Sequence, residues 1–253
     1  MRDDYALKYK EIDKYHWWFK ARAKIIEDII KGFLIEKNMS RKILDIGIAG
    51  EQIAGILKNY GKVIGIDNNK IILAVSKNEN YSYILGMDIL KPSLKKKMFS
   101  IITCLDVIEH LETPKLAMDN IYDLLAPGGY IFITVPAFQF LWGKQDIVNS
   151  HFKRYSKKEL LKLIDKNKFD ILRCSYFNFL LFLPIAIIKI LTRFLADTKF
   201  NFFEKYKSDI EIDFPDFLNN LLFFIFSLEK YILRYINLSF GVSIFCVLKK
   251  KSI

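Results

Sequence analysis

The sequence predicts an α/β fold in which helices cover both faces of a doubly wound, mostly parallel sheet. Seven apolar runs of strand length are spread along the 253 residues, and patterns of helical periodicity separate most of them. This alternation is typical of right-handed βαβ units. Two successive runs end in carboxylates, Asp45 and Asp67, and a glycine turn follows the first. We therefore expect a ligand at the carboxyl edge of the sheet.

The predicted elements follow from the apolar runs and from the helical patterns between them. Strands are expected near 42–46, 62–66, 83–85, 100–105, 130–135, 170–177 and 242–248. Helices are expected over 52–60, 69–77, 115–125 and 157–166. The last of these helices begins with a capping box, because Ser156 is followed three residues later by Glu159.

The turn after the first strand has the composition of a nucleoside site. Gly47 and Gly50 let the backbone approach a ligand closely, and Asp67 stands where an acid accepts hydrogen bonds from ribose hydroxyls. A dinucleotide is not favoured, because Glu51 would repel a pyrophosphate at the helix N-terminus. Asp45, just before the turn, instead suits a cationic group.

Three further motifs follow in order along the chain. They are Gly86-Met87-Asp88, then Leu105-Asp106-Val107-Ile108-Glu109-His110-Leu111, then Leu125-Ala126-Pro127-Gly128-Gly129. With the two acidic strand ends, this series resembles the class I S-adenosylmethionine-dependent methyltransferases over 42–177 and again over 240–250. The resemblance implies a Rossmann-like sheet of seven strands with an antiparallel last strand, and S-adenosylmethionine as the cofactor.

The resemblance also implies which residues bind that cofactor. Asp45 and the glycine turn would line its methionine end, Asp67 would meet the ribose, and Asp88 would meet the adenine edge. The whole expected cofactor site is Asp45, Gly47, Ala49, Gly50, Asp67, Asn68, Met87, Asp88, Ile89 and Leu105.

The glycine turn departs from the family pattern D-x-G-x-G-x-G at two positions. Ala49 replaces the second glycine and Glu51 the third. Alanine adds a methyl group where the cofactor passes, and it costs more where the backbone needs a positive φ. One alternative is therefore a degenerate methyltransferase fold that serves as a membrane-associated interaction protein.

Methyl transfer from a sulfonium mainly requires alignment of the acceptor with the methyl group, and a hydroxyl acceptor also needs a base. His110 follows the fourth strand and is the first candidate for this base, and His151 is the second. Asp106, beside the methyl group by resemblance, completes the expected catalytic set. The alternative for His110 is a hydrogen bond to the loop at 113–114.

Two segments are expected to contact the acceptor. The run from His151 to Tyr155 resembles an H-x-R-R-Y-type segment of some of these enzymes, and the cations in it suit a phosphate or carboxylate. The alternative is a charged entry to the next helix. Trp17 and Trp18 belong to a predicted N-terminal helical lid, 1–41, although they also suit plain core packing. The expected substrate-binding residues are Trp17, Trp18, Lys153, Arg154 and Tyr155.

Residues 178–239 form a predicted hydrophobic helical insertion between the last two strands of the methyltransferase domain, which is expected to comprise 42–177 and 240–253. The part over 177–195 is apolar around nearly its whole circumference, with Pro184 interrupting it. The part over 217–236 is amphipathic, with Glu229 inside the apolar stripe. We expect peripheral membrane contact through 177–236. Two helices that merely cap the domain are the alternative.

Composition bounds the remaining possibilities. The formal net charge of +11 is compatible with an anionic membrane or with RNA. RNA methylation is therefore an alternative function, but the net charge is its only support. Nucleic acid is not expected as a partner, because the sequence contains no recognisable nucleic-acid-binding module. No metal is expected, because no His and Cys cluster has ligand spacing. The three cysteines, Cys104, Cys174 and Cys246, are expected to be buried free thiols in a reducing cytoplasm.

These observations together predict an S-adenosylmethionine-dependent methyltransferase. Its expected acceptor is a hydrophobic or lipid-linked small molecule or a glycan intermediate, methylated on oxygen. Its expected location is the cytoplasm, with peripheral contact to the cytoplasmic membrane face.

Overall fold

The structure is a computed structural model that describes residues 3–34, 38–76, 79–194, 208, 211 and 214–252, with the backbone alone at 3, 4, 51, 193 and 194. Its centre is a seven-stranded sheet in the order β3-β2-β1-β4-β5-β7-β6. The strands are β1 (Lys42–Ile46), β2 (Lys62–Asp67), β3 (Tyr83–Gly86), β4 (Phe99–Leu105), β5 (Leu125–Pro136), β6 (Phe169–Phe177) and β7 (Ser243–Lys250).

The strand directions confirm the predicted α/β fold. Strands β1 to β5 pair in parallel, and β7 runs antiparallel between β5 and β6. The central strands are nearly continuous apolar runs because helices cover both of their faces. β5 begins at Leu125, earlier than predicted, because this residue pairs with Phe99 across a β-bulge.

Helices lie on both faces of the sheet and at its carboxyl edge. They are α1 (Asp3–Asp13), α2 (Trp17–Phe33), α3 (Glu51–Leu57), α4 (Lys70–Val75), α5 (Pro114–Leu124), α6 (Lys144–Val148), α7 (Lys157–Lys162), α8 (Phe182–Phe194) and α9 (Asp216–Leu233). The capping box predicted for α7 is confirmed, since Ser156 Oγ accepts from the Glu159 amide and the Glu159 carboxylate accepts from the Ser156 amide. The three cysteines are buried free thiols, as expected.

Helix α8 starts later than the sequence indicates. It begins at Phe182, so Pro184 lies in its first turn, where the backbone N–H groups have no acceptor within the helix. The expectation that Pro184 interrupts a longer helix is therefore wrong. Within the described part of the chain, none of the helices combines the length and the apolar character that a membrane crossing requires.

Helix α9 packs on α2 at one side. The Phe226 and Trp17 rings meet edge to face, the Asn219 side chain accepts from the Trp17 amide, and Arg234 pairs with Asp28. These contacts join the insertion between β6 and β7 to the N-terminal helices. The insertion, which comes late in the chain, therefore packs against the helices at its beginning.

Glu229 explains how α9 holds the segment that leads into α8. Its side chain is fully buried, and its Oε1 accepts from the Leu180 amide at 2.8 Å. Burial raises the pKa of Glu229 to about 7, although backbone hydrogen bonds from 178–180 act in the opposite direction. The acid inside the apolar stripe is therefore a hydrogen-bond anchor between α9 and the turn that leads into α8.

We predict that Glu229 makes the protein less stable as the pH rises. Its folded-state pKa of about 7 lies above the ordinary value of 4.5, so the native state holds the proton more tightly than the unfolded state. The stabilisation is complete below the ordinary pKa and is lost as the pH rises through the folded pKa, with a magnitude of about 3 kcal/mol. Glu229→Gln keeps the acceptor for Leu180 and should remove most of this dependence.

Urea unfolding at about pH 5 and about pH 8 measures the effect. The control is Glu112→Gln, which changes an exposed acid and should keep the wild-type pH dependence. If the free energy of unfolding changes equally with pH in the wild type and in Glu229→Gln, the raised pKa of Glu229 is not the source of the pH dependence.

Candidate active site

A cavity of about 1200 Å³ opens at the carboxyl edge of the parallel strands. Residues from the ends of β1, β2, β3 and β4 form its floor, and residues of α1, α2, α6 and α8 contribute to its walls. The residues of the expected cofactor site all line it, namely Asp45, Gly47, Ala49, Gly50, Asp67, Asn68, Met87, Asp88, Ile89 and Leu105. The topology therefore brings these side chains and turns to one place.

Gly47 forms a turn that only glycine can make here. Its φ is +81°, and a Cβ at this position would lie 2.6 Å from Val107 Cγ2. Its amide donates to the Ile66 carbonyl at 2.9 Å. Ala49 is not among the described residues with positive φ, and Gly50 has a φ of −100°. Alanine in place of the family's second glycine therefore costs no backbone strain.

Asp67 connects the glycine turn to the start of α4. Its Oδ2 accepts from the Ile48 amide at 3.1 Å, and its Oδ1 accepts from the Asn69 amide at 2.8 Å. Burial raises the pKa of Asp67, and these backbone hydrogen bonds oppose the rise. Each carboxylate oxygen retains a second lone pair, so hydroxyl groups can still donate to it.

Asp45 and Asp88 are also held by protein groups. Asp45 is buried, with Thr103 Oγ1 donating to one oxygen at 2.6 Å and Tyr81 OH to the other at 2.8 Å. Burial raises its pKa to about 6. One oxygen of Asp88 accepts from the Leu90 amide at 2.8 Å, which fixes the turn after β3.

The donor set fits an adenosyl cofactor with a cationic amino acid end. Carboxylates stand at or just beyond the ends of three neighbouring strands, and a glycine without room for a Cβ opens the space between them. Backbone can approach a ligand at this turn, while the acids are placed to accept from hydroxyl and ammonium groups. The site thus has the features that S-adenosylmethionine requires.

Asp106, predicted beside the methyl group, is partly exposed and forms an ion pair with the buried Arg22 of α2. Its Oδ2 lies 2.7 Å from Arg22 Nη2, and its Oδ1 accepts from Thr134 Oγ1 at 2.9 Å. The Arg22 guanidinium also lies 5.3 Å from the Trp18 ring. The sequence interpretation did not include Arg22, although a basic residue on the apolar side of an amphipathic helix was a signal for a buried partner.

Glu109, His110 and His151 meet at the wall of the cavity, where atoms able to bind a metal lie within 4.8 Å of one another. Both Glu109 oxygens and His110 Nδ1 are buried and have no hydrogen-bond partner. His151 Nε2 lies 4.0 Å from Glu109 Oε1. The two imidazole rings are 4.5 Å apart and nearly perpendicular. The two candidate bases therefore stand together, beside a carboxylate that the sequence interpretation did not single out.

The two histidines have different surroundings. Burial, followed by the neighbouring His151, lowers the pKa of His110 to about 3, while the backbone at Asn149 and Ser150 hydrogen-bonds this ring. The hydrogen-bonding partner is thus this loop and not the one at 113–114. His151 Nδ1 lies 2.8 Å from Asp146 Oδ1. Burial raises the pKa of Asp146, but hydrogen bonds from His151 and Arg154 outweigh it and hold that pKa well below its usual range.

The expected acceptor residues separate into two groups. Trp17, Trp18 and Arg154 line the cavity, whereas Lys153 and Tyr155 are not among its lining residues. Lys153 pairs with Glu159 at 2.9 Å, and Tyr155 is core. Arg154 donates from Nε to Asp146 Oδ1 at 2.8 Å and from Nη1 to the Ala137 carbonyl at 3.2 Å. Its charge is already neutralised by an acid, which makes it an anchor for the His151 loop.

Further buried polar atoms without a hydrogen-bond partner belong to residues that line the cavity. They are the Trp17 indole N–H, the side-chain amide of Asn178, His16 Nε2, Arg22 Nε and Asn149 Oδ1. Asn178 has a φ of 57° in the turn after β6. Sequence reasoning did not identify Asn178, because an asparagine after a strand is normally an ordinary turn residue.

Comparison with known proteins identifies the family of the chain. Residues 18–173 match the family model described as a methyltransferase domain. The chain belongs to this family, and its fold and cofactor site make it a class I methyltransferase that uses S-adenosylmethionine.

Among curated proteins, the chain is 27% identical over 151 residues to a ubiquinone biosynthesis O-methyltransferase of Coxiella burnetii, covering 55% of this chain and 59% of that protein. It is 21% identical over 181 residues to the protein of the same name from Vibrio atlanticus, covering 64% of this chain and 71% of that one. The chain thus spans about three fifths of the length of the first relative.

Solved structures show the same fold. A SAM-dependent methyltransferase from Archaeoglobus fulgidus superposes with a TM-score of 0.55 at 16% identity, over 90% of this chain and 94% of that one. A Haemonchus contortus N-methyltransferase solved with S-adenosylhomocysteine superposes with a TM-score of 0.58 at 17% identity, over 99% of this chain and 58% of that one.

We predict that Asp67→Ala weakens S-adenosylmethionine binding about tenfold to a hundredfold, because it removes charge-assisted contacts worth roughly 1.5 to 3 kcal/mol. Isothermal titration calorimetry measures the dissociation constant. Thermal unfolding without ligand reports the separate loss of the Ile48 and Asn69 contacts. Asp123→Ala, an acid paired with Lys96 at the surface, should bind the cofactor like the wild type. An unchanged constant for Asp67→Ala would show that Asp67 does not contact the ribose.

Proposed function

We propose that this enzyme O-methylates a hydrophobic acceptor, a small molecule or a lipid-linked glycan intermediate, at a membrane surface. The position of α8 is the observation that carries the proposal. This helix lines the cavity through Ile185 and Ile188 and exposes Leu183, Ile187 and Leu191 to solvent. An apolar acceptor could therefore contact apolar side chains of α8 both inside the cavity and on the outer surface.

The size of the cavity supports a second ligand beside the cofactor. Its volume of about 1200 Å³ exceeds the roughly 300 to 1,000 Å³ of pockets that hold one drug-sized molecule. The cofactor residues lie around the ends of β1, β2 and β3, and the wall away from them includes Trp142, Ile147 and Ile185. These side chains favour an acceptor with a substantial apolar part.

Exposed apolar stripes on α8 and α9 support contact with lipid. We call them the apolar face: Leu183, Ile187 and Leu191 on α8, and Phe217, Leu221 and Phe224 on α9, each between 49% and 73% exposed. Single exposed apolar residues are ordinary, whereas a stripe along successive turns indicates an interaction surface. The net charge of +11 favours an anionic bilayer as the partner. Lys189 lies close to Gly143 and lines the cavity, where its charge suits an anionic group on the acceptor.

Oxygen as the methylated atom has two supports. The curated relatives carry the name O-methyltransferase, and the cavity holds an imidazole suited to a hydroxyl proton. S-adenosylmethionine supplies an activated methyl group, so the protein mainly aligns the acceptor and excludes water. Trp17 and Trp18 of α2 line the cavity, and the Trp17 indole N–H has no hydrogen-bond partner in the protein, which makes it a candidate donor to the acceptor. His151 Nε2 is the better candidate for accepting the hydroxyl proton, because burial lowers the pKa of His110 to about 3 and makes that ring a weak base.

We predict that methyl-labelled S-adenosylmethionine transfers its label to the lipid extract of the source cells. The purified protein is incubated separately with that extract, with total RNA and with water-soluble metabolites. Label should accumulate in the lipid fraction, in a product whose mass identifies a methyl ether or methyl ester. Label confined to RNA would support the RNA alternative and contradict the proposal. Cofactor binding without transfer to any fraction would contradict it as well.

We also predict reversible binding to anionic vesicles through the apolar face. The wild type should co-sediment with phosphatidylglycerol-containing liposomes at low salt and be partly released at high salt, because headgroup attraction contributes about 1 kcal/mol per cation. Phe217→Ser with Phe224→Ser should lose most of this binding.

The matched control is Tyr83→Ser with Met39→Ser, which removes two apolar side chains of similar exposure away from α8 and α9. It should bind vesicles like the wild type. If the wild type stays in the supernatant at low salt, the helices are a packed cap and the membrane part of the proposal fails.

A further inference from the structure

We propose that Glu109, His110 and His151 form a divalent metal site that binds the acceptor oxygen beside the cofactor. This inference rests on the proposed function for the identity of the ligand, and on this chain's own geometry for the metal. The starting observation is Glu109, which is 0% exposed and has neither carboxylate oxygen hydrogen-bonded. Buried polar groups are nearly always satisfied, so an orphaned carboxylate indicates a missing partner.

The free nitrogens of the two histidines lie beside this carboxylate. His151 Nδ1 lies against Asp146 Oδ1 at 2.8 Å, which leaves the lone pair of Nε2 on the side of Glu109, at 4.0 Å from Oε1. His110 Nδ1 is buried without a partner. Three ligand atoms of the kinds that metals prefer are thus unoccupied at one point of the cavity wall.

The surroundings of His151 are those of a metal ligand. Metal-binding imidazoles commonly donate their other N–H to a carboxylate, which fixes the ring. Asp146 serves this role for His151, and it is itself held by Arg154 Nε and by the Gly143 amide, each at 2.8 Å. Arg154 therefore acts as a positioning residue, two steps away from the site.

The spacing requires only small side-chain movements. The ligand atoms lie within 4.8 Å of one another, and metal bonds of about 2.0 to 2.2 Å place neighbouring ligands roughly 3 to 4 Å apart. Two imidazoles and one carboxylate match a divalent ion of the manganese-to-zinc series better than magnesium or calcium, which prefer oxygen. Three protein ligands leave coordination positions open for a substrate oxygen.

Such an ion would change how the hydroxyl is activated. A metal lowers the pKa of a bound hydroxyl, so its proton leaves to solvent and the histidines serve as ligands. An oxygen electron pair then forms the bond to the methyl carbon, and the electrons of the broken carbon–sulfur bond stay on sulfur. The sulfonium becomes a neutral thioether, and the metal keeps its oxidation state.

Sequence spacing does not reveal this cluster. Glu109 and His110 follow β4, whereas His151 comes after β5 and α6, so no ligand motif is visible along the chain. The absence of a His and Cys motif led to the expectation of no metal. The parallel sheet brings both loops to one edge, where they meet.

The test is metal binding by the full chain after purification with a chelator. Manganese, cobalt and zinc chlorides are titrated by calorimetry, and cobalt is followed by its visible absorption, which reports imidazole ligands. We expect saturable binding of about one equivalent per chain. Glu109→Gln should weaken binding at least tenfold, and Glu112→Gln should leave it unchanged. His151→Gln is a second variant whose spectrum should lose intensity.

Cofactor affinity and thermal unfolding of the same variants show whether they remain folded. The metal proposal is overturned if the folded wild type binds none of the three ions saturably, or if Glu109→Gln and His151→Gln both bind like the wild type. A protonated Glu109 beside the two imidazole rings would then account for the cluster. If label is transferred to lipid at an undiminished rate in the presence of chelator, the proposed function stands and the metal proposal is rejected. If the protein binds metal but methylates no lipid, the metal site stands and the proposed function is rejected.

Discussion

The ion pair between buried Arg22 and partly exposed Asp106 is the constraint on which the arrangement of the cavity depends. Arg22 belongs to α2 and Asp106 to the end of β4, so the pair fixes the N-terminal helices over the carboxyl edge of the sheet. Removing Asp106 would leave the buried Arg22 charge unpaired, and the partial exposure of Asp106 keeps the cost below the roughly 3 to 5 kcal/mol typical of a fully buried pair. Asp106 has a φ of 56°, and the chain turns there into the segment that carries Glu109 and His110. The same ion pair thus positions both the helices that cover the cavity and the segment that carries Glu109 and His110.

Polar groups without partners are concentrated around this cavity. The orphaned atoms of Trp17, Glu109, His110 and Asn178 all belong to residues that line it. Each costs stability while no ligand is bound, and such costs are expected where a protein prepares a binding site. Glu229 differs from them, because one of its oxygens accepts from Leu180 and so holds the turn before α8 against α9.

The fold was largely predictable because its signals are local. Strands β1 to β4 lie within one residue of their predicted ends, since short apolar runs between turns define them. The predicted cofactor residues line one cavity because parallel strands end at one edge. Arg22 and Glu109 were missed because their roles depend on partners far away in the chain. Lys153 was assigned to the acceptor from a motif, whereas its pairing with Glu159 depends on the local path of the backbone.

On the proposed function, the insertion would combine the two roles that the sequence presented as alternatives. Helix α9 is a cap at Phe226 and Asn219, where it packs on α2, and it still exposes Phe217 and Phe224 on another side. Packing on α2 therefore does not consume the apolar surface, so a cap and a membrane contact are compatible on one helix. Helix α8 has cavity-lining residues on one side and exposed apolar residues on another, so the width of one helix lies between them. On the proposed function, a lipid-linked acceptor would then need to pass only one helix to reach His110 and His151, with its apolar part remaining out of water.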